Sequence, residues 1–488
     1  MNTTYKHIFK AATLFGGVHG LNILLNLIRT KCVAVLLGPS GVGLNSIYNE
    51  TRELLHTTTN IGLDLSGVRG ISQVYEKWSN STSDEERNKL QKDINFQIQL
   101  LRSWVFILAL AGILVCMLFA SPISYFTFGN YDHTWSYVKL APAVGFSTIT
   151  CGELAVLTGL RKLKQLATIS VLNVALGLVV SIPIYYIWGI DGVLGALVAL
   201  AFAIMMSTLA FGCIYHRYTL NFHFSKLKKG NILLNVGLSV VISEMIGHLV
   251  ILGIQSFLNN TASLETVGFY NSNYALTMAC AGIAFAAFGS DYFPRLTALT
   301  KDIAKRSITI INQMHVTTIT VTPLLIALIL SLPILVPLLL NDEFIPIVPM
   351  AQITSLGLFF RAIHLPNAYV PLAMGDSKLY FTINLIGALD MLIVIPGYIY
   401  GGLTGIGFAL AAQNFLDMFI VVGVSHWYYK LSLNNKDVLS LFLHFILILT
   451  AYIICITLTG YMYWVTGVLT LLLSLIFSYR KFKNESAN

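Results

Sequence analysis

Fourteen apolar stretches run along the sequence, and each is close to the length that crosses a bilayer. A membrane-spanning helix needs about 20 consecutive, mainly apolar residues. Only 11% of the 488 residues are charged, against about a quarter in soluble proteins, so a soluble enzyme and a nucleic-acid binder are excluded. We predict an all-α integral membrane protein with about 14 transmembrane helices, here called spans 1 to 14: 11–37, 42–66, 103–124, 136–159, 167–188, 192–214, 232–256, 266–293, 312–340, 347–373, 379–400, 404–427, 438–458 and 460–478.

Positive charges are confined to alternate connections between these spans. Of the 30 Lys and Arg residues, 25 lie at the two ends of the chain or after even-numbered spans, and none lies after an odd-numbered span. Cytoplasmic loops of membrane proteins carry such an excess of Lys and Arg. Both termini are therefore predicted to be cytoplasmic. The net charge of +8 is then explained by basic cytoplasmic segments that orient the chain and attract anionic lipid. We therefore predict no nucleic-acid partner.

The sequence also contains an internal repeat. The segment IPIYYIWGIDGVLGAL (182–197) aligns without gaps with IPGYIYGGLTGIGFAL (395–410), at an offset of 213, with seven of sixteen positions identical. The turn between spans 5 and 6 thus matches the turn between spans 11 and 12. We predict two six-helix lobes in a parallel pseudo-twofold repeat, with the working site between them, and an additional helix pair: residues 1–222, 223–430 and 431–488.

Polar residues form matching stripes on spans 1 and 2. Asn22, Asn26 and Arg29 recur at steps of four and three, and Glu50 and Glu53 lie on one face of span 2. The two spans are antiparallel about a short turn, which brings the stripes into register. One interpretation is a structural ion pair between Arg29 and Glu50. The other is a hydrated cavity lined by both stripes, because ionisable residues within a membrane usually mark a functional site.

Cations near this first hairpin are suited to an anionic head group. Arg29 and Lys31 lie on span 1, and Arg52 lies on span 2. The planar fork of arginine donates two hydrogen bonds at once to a phosphate. We therefore predict that these three residues bind substrate. Span 10 contributes Arg361, which could complete a cationic cavity or pair with Asp390 or Asp417.

Spans 7 and 8 carry the remaining candidates. Glu244 and His248 lie one turn apart on span 7, where they could bind a coupling proton or Na⁺ or simply bond to each other. Asn271 and Asn273 of span 8 could contact sugars or hydrogen-bond to neighbouring helices. Glu153, near the inner end of span 4, is expected at the membrane interface. No phosphate-binding loop and no metal-ligand spacing occurs, so we predict no metal and no further cofactor.

The first hairpin resembles a known family. The stretch LIRTKCVAVLLGPSGVGLNSIYN (27–49) is similar to the amino-terminal signature of the O-antigen translocases. These are polysaccharide-transport proteins, lipid-linked oligosaccharide flippases of the multidrug/oligosaccharidyl-lipid/polysaccharide exporter superfamily. The resemblance implies two lobes around a cavity that opens alternately to each side of a bacterial inner membrane. It implies a substrate of undecaprenyl-diphosphate-linked glycan.

In related flippases, basic residues on spans 1, 2 and 8 engage the diphosphate, and the matching residues here are Arg29, Lys31 and Arg52. Span 8 departs from that pattern, since it has no Arg or Lys before Arg295. The coupling candidates are Glu244, His248, Glu50 and Glu53. Membrane lipids, a glycan polymerase and assembly proteins are the expected partners.

Two alternatives stay open. The first is a cation-coupled multidrug exporter of the same fold, which Glu244 supports, although span 1 carries two cations and no acid. The second is a membrane enzyme, such as a polysaccharide polymerase or a glycosyltransferase. The short outer connections, with five acids as their only charges, favour a transporter without catalytic residues over an enzyme.

Overall fold

The computed structural model describes residues 3–215, 218–220, 238–299 and 302–486, and these residues are almost entirely helical. Fifteen α-helices are described, along with 3₁₀ turns at Gly189–Gly192, Asp342–Phe344 and Met391–Ile393. The helices are α1 (Thr3–Asn60), α2 (Leu63–Asn80), α3 (Asp84–Leu118), α4 (Ala120–Phe128), α5 (Thr134–Gly159), α6 (Leu163–Trp188), α7 (Val193–Tyr215), α8 (Leu238–Thr261), α9 (Leu264–Thr297), α10 (Ile303–Leu339), α11 (Ile347–Met374), α12 (Ser377–Asp390), α13 (Val394–Trp427), α14 (Asn435–Thr457) and α15 (Gly460–Ser486).

The long helices correspond to the predicted spans. Within the described part of the chain, ten helical stretches are long and apolar enough to cross a membrane. Three of them, 20–60, 163–214 and 377–427, are 41, 52 and 51 residues long, and each contains two predicted spans. Each also contains a glycine of positive φ, at Gly38, Gly189 and Gly402. Helix α9 covers span 8. The predicted all-α, multi-pass membrane fold is confirmed.

The two turns of the internal repeat have the same backbone geometry. Gly189 has φ 54° and ψ −133°, and its repeat partner Gly402 has φ 56° and ψ −141°, a region open essentially to glycine alone. Three residues further on, a β-carbon at Gly192 would lie 3.0 Å from the carbonyl oxygen of Ile184. A β-carbon at Gly405 would meet the carbonyl oxygen of Gly397. Those two carbonyls are also 213 residues apart, so the repeat extends to the packing of each hairpin.

Span 2 ends earlier than the sequence indicates. The predicted span runs to residue 66, but Ile61 and Gly62 have φ of 50° and 70°, which interrupts the helix. Asp64 therefore lies in the first turn of α2 and not on the helix that carries Glu50. The segment that follows is a helical hairpin of α2 and the first half of α3.

The chain divides into two compact units, Met1–Val267 and Gly268–Asn488. In the first unit, one hydrophobic core joins α1, α5, α6 and α7 around Tyr48, Tyr137 and Tyr185. A second core joins α2, α3 and α5 around Ile71, Ile98. Helix α8 packs on α1 and α4. The predicted lobe boundary at 222 and 223 lies outside the described residues, so the division into 1–222, 223–430 and 431–488 stays a prediction.

An ion pair is buried within the first unit between α3 and α5. Arg102 Nε lies 2.6 Å from Glu153 Oε1, and Nη2 lies 2.8 Å from Oε2; both side chains are only 2% exposed. Glu153 Oε2 occupies the space that a β-carbon at Gly212 of α7 would need. The ring of Tyr218 lies 4.8 Å from the guanidinium carbon of Arg102. The sequence indicated a charge at the membrane interface; the structure shows that Glu153 is buried in the helix bundle, where Arg102 neutralises it.

The second unit is built around α11. This helix packs against α10 and α13 and, less extensively, against α12 and α14, and most of its residues are buried. Pro366 and Pro371 lack an N–H, which leaves the carbonyls of Ala362 and Asn367 without their usual partners. Tyr292 of α9 donates to the Pro366 carbonyl at 2.9 Å. The centre of α11 carries Arg361 and His364.

Candidate functional site

Arg29 lies in the first half of α1 and contacts α6. A β-carbon at Gly177 would lie 3.3 Å from three atoms of the Arg29 guanidinium, so glycine at this position leaves room for the cation. Tyr185 and Arg52 act on Arg29 electrostatically. Among the described residues, no acid forms an ion pair with Arg29. The Arg29–Glu50 pair, one of the two interpretations of the stripes, is not formed.

Glu50 is paired instead with α8. His248 Nδ1 and Glu50 Oε1 are 2.6 Å apart, and both side chains are partly buried. The expected bond between Glu244 and His248 is therefore replaced by a contact between two helices that lie almost 200 residues apart in the chain. Glu244 is exposed and lies one turn away from His248 on α8. Glu53 also acts on His248 electrostatically. The three acidic coupling candidates therefore surround the imidazole of the fourth candidate, His248.

Arg52 belongs to a local network on α1. It forms an ion pair with Glu53 and donates from Nη2 to Asn49 Oδ1 at 3.0 Å. His56 Nδ1 lies 3.9 Å from Glu53 Oε2. Two buried donor or acceptor atoms of this network, Arg52 Nε and His56 Nε2, have no hydrogen-bond partner among the described residues. The network is therefore charge-balanced at Arg52 but still able to bind a polar group.

The other candidates of the first unit surround Arg29 along α1. Asn22 Nδ2 donates to Ser170 Oγ of α6 at 2.8 Å, whereas its Oδ1 is buried without a described partner. Asn26 is exposed and Lys31 is half-buried. Asn22 and Arg29 of α1 therefore both contact α6, a neighbour that the sequence did not predict. The contribution of Gly177 and Tyr185 was not predicted, because both lie in an apolar span without periodic polar residues.

Arg361 and His364 line a cavity of about 360 Å³ in the second unit. Its walls come from α9, α11, α12 and α13, and its polar lining includes Tyr274, Tyr369, Tyr380, Asn384, Gln413, Asn414 and Asp417. Gln413 Nε2 donates to Asp417 Oδ2 at 3.1 Å. Of the two alternatives for Arg361, the pairing with Asp390 or Asp417 is not formed within the described chain, and Arg361 lines a cavity. The sequence analysis did not single out Asn384 of span 11 or Gln413 and Asn414 of span 12.

The two asparagines of span 8 have different surroundings. Asn273 is fully buried and donates to Thr354 Oγ1 at 3.1 Å, which is the helix–helix bonding foreseen as the alternative to sugar contact. Its Oδ1 has no described partner. Asn271 is half-buried. No cluster of three or more His, Cys, Asp or Glu side chains suited to a metal occurs among the described residues.

Comparisons with known proteins agree with this architecture. The family model of polysaccharide biosynthesis proteins matches residues 8–299. The chain is similar in structure to the lipid II flippase MurJ in an inward closed conformation, with TM-score 0.69, 16% identity, and coverage of 98% of this chain and 100% of that one.

It is also similar to an inward-facing multidrug resistance MATE transporter of the MOP superfamily, with TM-score 0.63, 12% identity and coverage of 84% and 94%. A Vibrio cholerae MATE transporter in a bent form gives TM-score 0.54 at 13% identity, with coverage of 89% and 98%. No curated protein sequence matches the chain. At these identities the structural matches establish the fold, and the family match covers more than half of the sequence: the chain is a multi-pass membrane protein of the polysaccharide biosynthesis protein family.

Proposed function

We propose that this protein is a flippase for undecaprenyl-diphosphate-linked oligosaccharide, an O-antigen or a related repeat unit of a surface polysaccharide. It moves the substrate from the inner to the outer leaflet of the bacterial cytoplasmic membrane by alternating access. The family match supports a role in polysaccharide biosynthesis, and the fold is shared with a lipid II flippase. A diphosphate and a chain of sugars cannot enter hydrocarbon unaided, so the protein must provide a polar path.

The observation that carries this proposal is the state of Arg29. Its guanidinium lies within a membrane-spanning helix, against the glycine backbone of α6, and no described acid pairs with it. An uncompensated cation in a membrane is retained only where it has a function. Its donors match the geometry of a diphosphate. The neighbouring amides of Asn22 and Asn26 extend the same face of α1 toward the sugars.

An apolar groove in the second unit supports a place for the lipid tail. This groove lies between α10, α11, α13 and α14, has a volume of about 600 Å³, and is lined by Phe359, Phe360, Phe415, Phe419, Phe442 and Phe445 among other apolar side chains. Phe419 and Phe442 are more than half exposed, so the groove is open at its rim. We propose that the tail lies here or in the adjacent lipid while the head group crosses.

The test is glycan export by cells whose own copy of the gene has been deleted. Arg29→Ala is expected to abolish surface glycan, and Arg29→Lys to restore it in part, because lysine keeps the charge but loses the fork. Arg161→Ala is the matched control, since that arginine is more than half exposed and pairs with Glu76 on the surface. Protein level is measured in each strain. Full surface glycan in Arg29→Ala would contradict the proposed site.

Transport is proposed to be coupled to an ion gradient through the Glu50–His248 pair. A carboxylate that is hydrogen-bonded to an imidazole can gain or lose a proton without further ligands, whereas Na⁺ needs several oxygen ligands. Flipping by proteoliposomes is measured under an imposed pH gradient or an imposed Na⁺ gradient. We expect the pH gradient to stimulate wild type, and Glu50→Gln and Glu244→Gln to weaken that response. Stimulation of flipping by the Na⁺ gradient alone would show that the coupling ion is not a proton.

Multidrug export remains the competing proposal, because the fold is shared with multidrug transporters. It predicts lowered drug susceptibility when the protein is expressed in a pump-deficient strain, with no defect of surface glycan on deletion. We propose no catalytic residue, so polymerase or glycosyltransferase activity by the purified protein would count against the flippase.

A further inference from the structure

The cavity of the second unit has the composition of a sugar-binding site. Its polar lining combines three tyrosines with three amides, one arginine and one carboxylate. Tyrosine rings pack on the apolar face of a pyranose while their hydroxyls reach polar partners. Amides and carboxylates accept hydrogen bonds from sugar hydroxyls, and a guanidinium donates to them.

The amides of this cavity are fixed in place by their own helices. Asn384 Nδ2 donates to the Tyr380 carbonyl at 2.8 Å, and Asn414 Nδ2 donates to the Leu410 carbonyl at 2.8 Å. These bonds use the donor side of each amide and leave Oδ1 as an acceptor. Such pre-ordered acceptors bind hydroxyl donors without a further loss of side-chain freedom.

The charges of the cavity balance without forming a pair. Arg361 and Asp417 both line it, yet no ion pair joins them within the described chain. Gly387 of α12 makes room for the acid, since a β-carbon there would lie 3.1 Å from Asp417 Oδ1. An anionic ligand would meet the Asp417 carboxylate, and a cationic ligand would meet the Arg361 guanidinium. An uncharged ligand with both donors and acceptors fits both groups.

The position of the cavity makes a purely structural role costly. Arg361 is 14 residues from the start of α11, which is about 21 Å along the helix and close to mid-membrane. His364 Nδ1 is buried without a described partner. A polar group left unpaired at this depth destabilises the protein, so the surroundings of His364 are not arranged for stability alone.

We propose that this cavity binds one uncharged pyranose residue of the transported glycan. The inference rests on the proposed flippase function and adds to it a sugar-recognition site within the second unit. This site is separate from the cation of α1. Recognition of a sugar here would let the protein select among lipid-linked glycans that share the same diphosphate.

The experiment measures binding of free sugars to the full-length protein in nanodiscs by saturation-transfer NMR. The probes are glucose, galactose, N-acetylglucosamine, glucuronate and inorganic pyrophosphate. We expect at least one neutral sugar to bind wild type. Ala368→Phe, which fills the cavity from α11, should weaken that binding by ~tenfold or more. The loss of one or two hydrogen bonds to the sugar is enough to lower the affinity by a factor of ~10.

Two further variants make the result decisive. Asn384→Ala removes one acceptor without adding volume and should weaken binding to a smaller extent, and it serves if Ala368→Phe fails to fold. Leu389→Phe adds the same ring on the lipid-exposed surface of α12 and should leave binding unchanged. Absence of neutral-sugar binding to wild type, preferential binding of glucuronate or pyrophosphate, or equal binding by Asn384→Ala would overturn the proposal.

A separate readout distinguishes this proposal from the flippase itself. Flipping of lipid-linked glycan by wild type in proteoliposomes tests the function, whatever the free sugars do. Flipping without sugar binding would reject the cavity and keep the flippase. Sugar binding without flipping would reject the flippase and reduce the cavity to a sugar site of another transporter.

Discussion

The Arg102–Glu153 pair of the first unit and the Arg361 cavity of the second unit hold their charges in different ways. In the first unit Arg102, Arg52 and His248 each have a carboxylate partner. In the second unit Arg361 lines a cavity and has no such partner among the described residues. Removal of one partner of a buried ion pair leaves an uncompensated charge and destabilises the fold, whereas Arg361 has no such partner to lose. The difference separates Arg102, which is retained for assembly, from residues available to a ligand, and Arg29 belongs with Arg361.

The largest effect should come from breaking the buried pair of the first unit. Glu153→Ala leaves Arg102 buried and uncompensated, which costs ~3–5 kcal/mol. We expect a large fall in the thermal unfolding temperature of the detergent-purified protein and a loss from membranes. Arg102→Met combined with Glu153→Leu should recover most of the stability, because it removes both charges. A single variant as stable as wild type would place the pair outside the low-dielectric core.

A smaller effect is expected at the pair that joins α1 to α8. Glu50→Gln removes the charge-assisted bond to His248, and such bonds are worth ~1.5–3 kcal/mol. Thermal unfolding should report a loss within this range, together with the weakened pH response described above. Unchanged stability would mean that the 2.6 Å contact is not maintained in the resting protein.

The repeated turns allow the two units to be compared directly. Gly189→Ala and Gly402→Ala each force a β-carbon into a conformation that costs ~1–3 kcal/mol. Because the two glycines share φ and ψ within a few degrees, the two losses of stability should be equal. The exposed helical glycine Gly195, which has no neighbouring atom within 4 Å of an added β-carbon, is the control and should tolerate Gly195→Ala. Unequal losses at Gly189 and Gly402 would show that the surroundings outweigh the shared geometry.

The smallest effect on stability is expected at Arg361. Arg361→Gln keeps a polar group in the cavity, removes an unpaired charge and breaks no described ion pair, so any loss of stability should be below ~1 kcal/mol. Transport should nevertheless fall, because the variant loses donors to the sugar. A large loss of stability with normal transport would assign Arg361 to the structural class of Arg102.

The sequence predicted the repetitive features of this protein and missed those that depend on contacts between distant helices. Fourteen apolar stretches and the segment 182–197 sufficed for the fold and for the equivalence of Gly189 and Gly402. The steps of four and three residues put Asn22, Asn26 and Arg29 on one side of a helix. The register of spans 1 and 2 offered Arg29 as a partner of Glu50 and could not assign Glu50 to His248, because that contact depends on how α8 packs against α1.

Two other features lay beyond sequence patterns for the same reason. Glu153 looked like a charge near a span end, since its pairing with Arg102 is a property of the α3–α5 contact. The second-unit cavity combines residues of four helices, and the sequence alone does not show which faces of those helices meet. Periodicity reports one helix at a time, whereas ligand sites form where several helices meet.

The buried Arg102–Glu153 pair also constrains how the protein is made. Arg102 is synthesised about 50 residues before Glu153, so the ribosome delivers the cation first. An arginine buried in a helix bundle without its partner is strongly destabilising, so α3 cannot complete its packing alone. Burial of Arg102 becomes favourable once α5 has been made and supplies Glu153. We therefore expect α3 to pack into the first unit only together with α5.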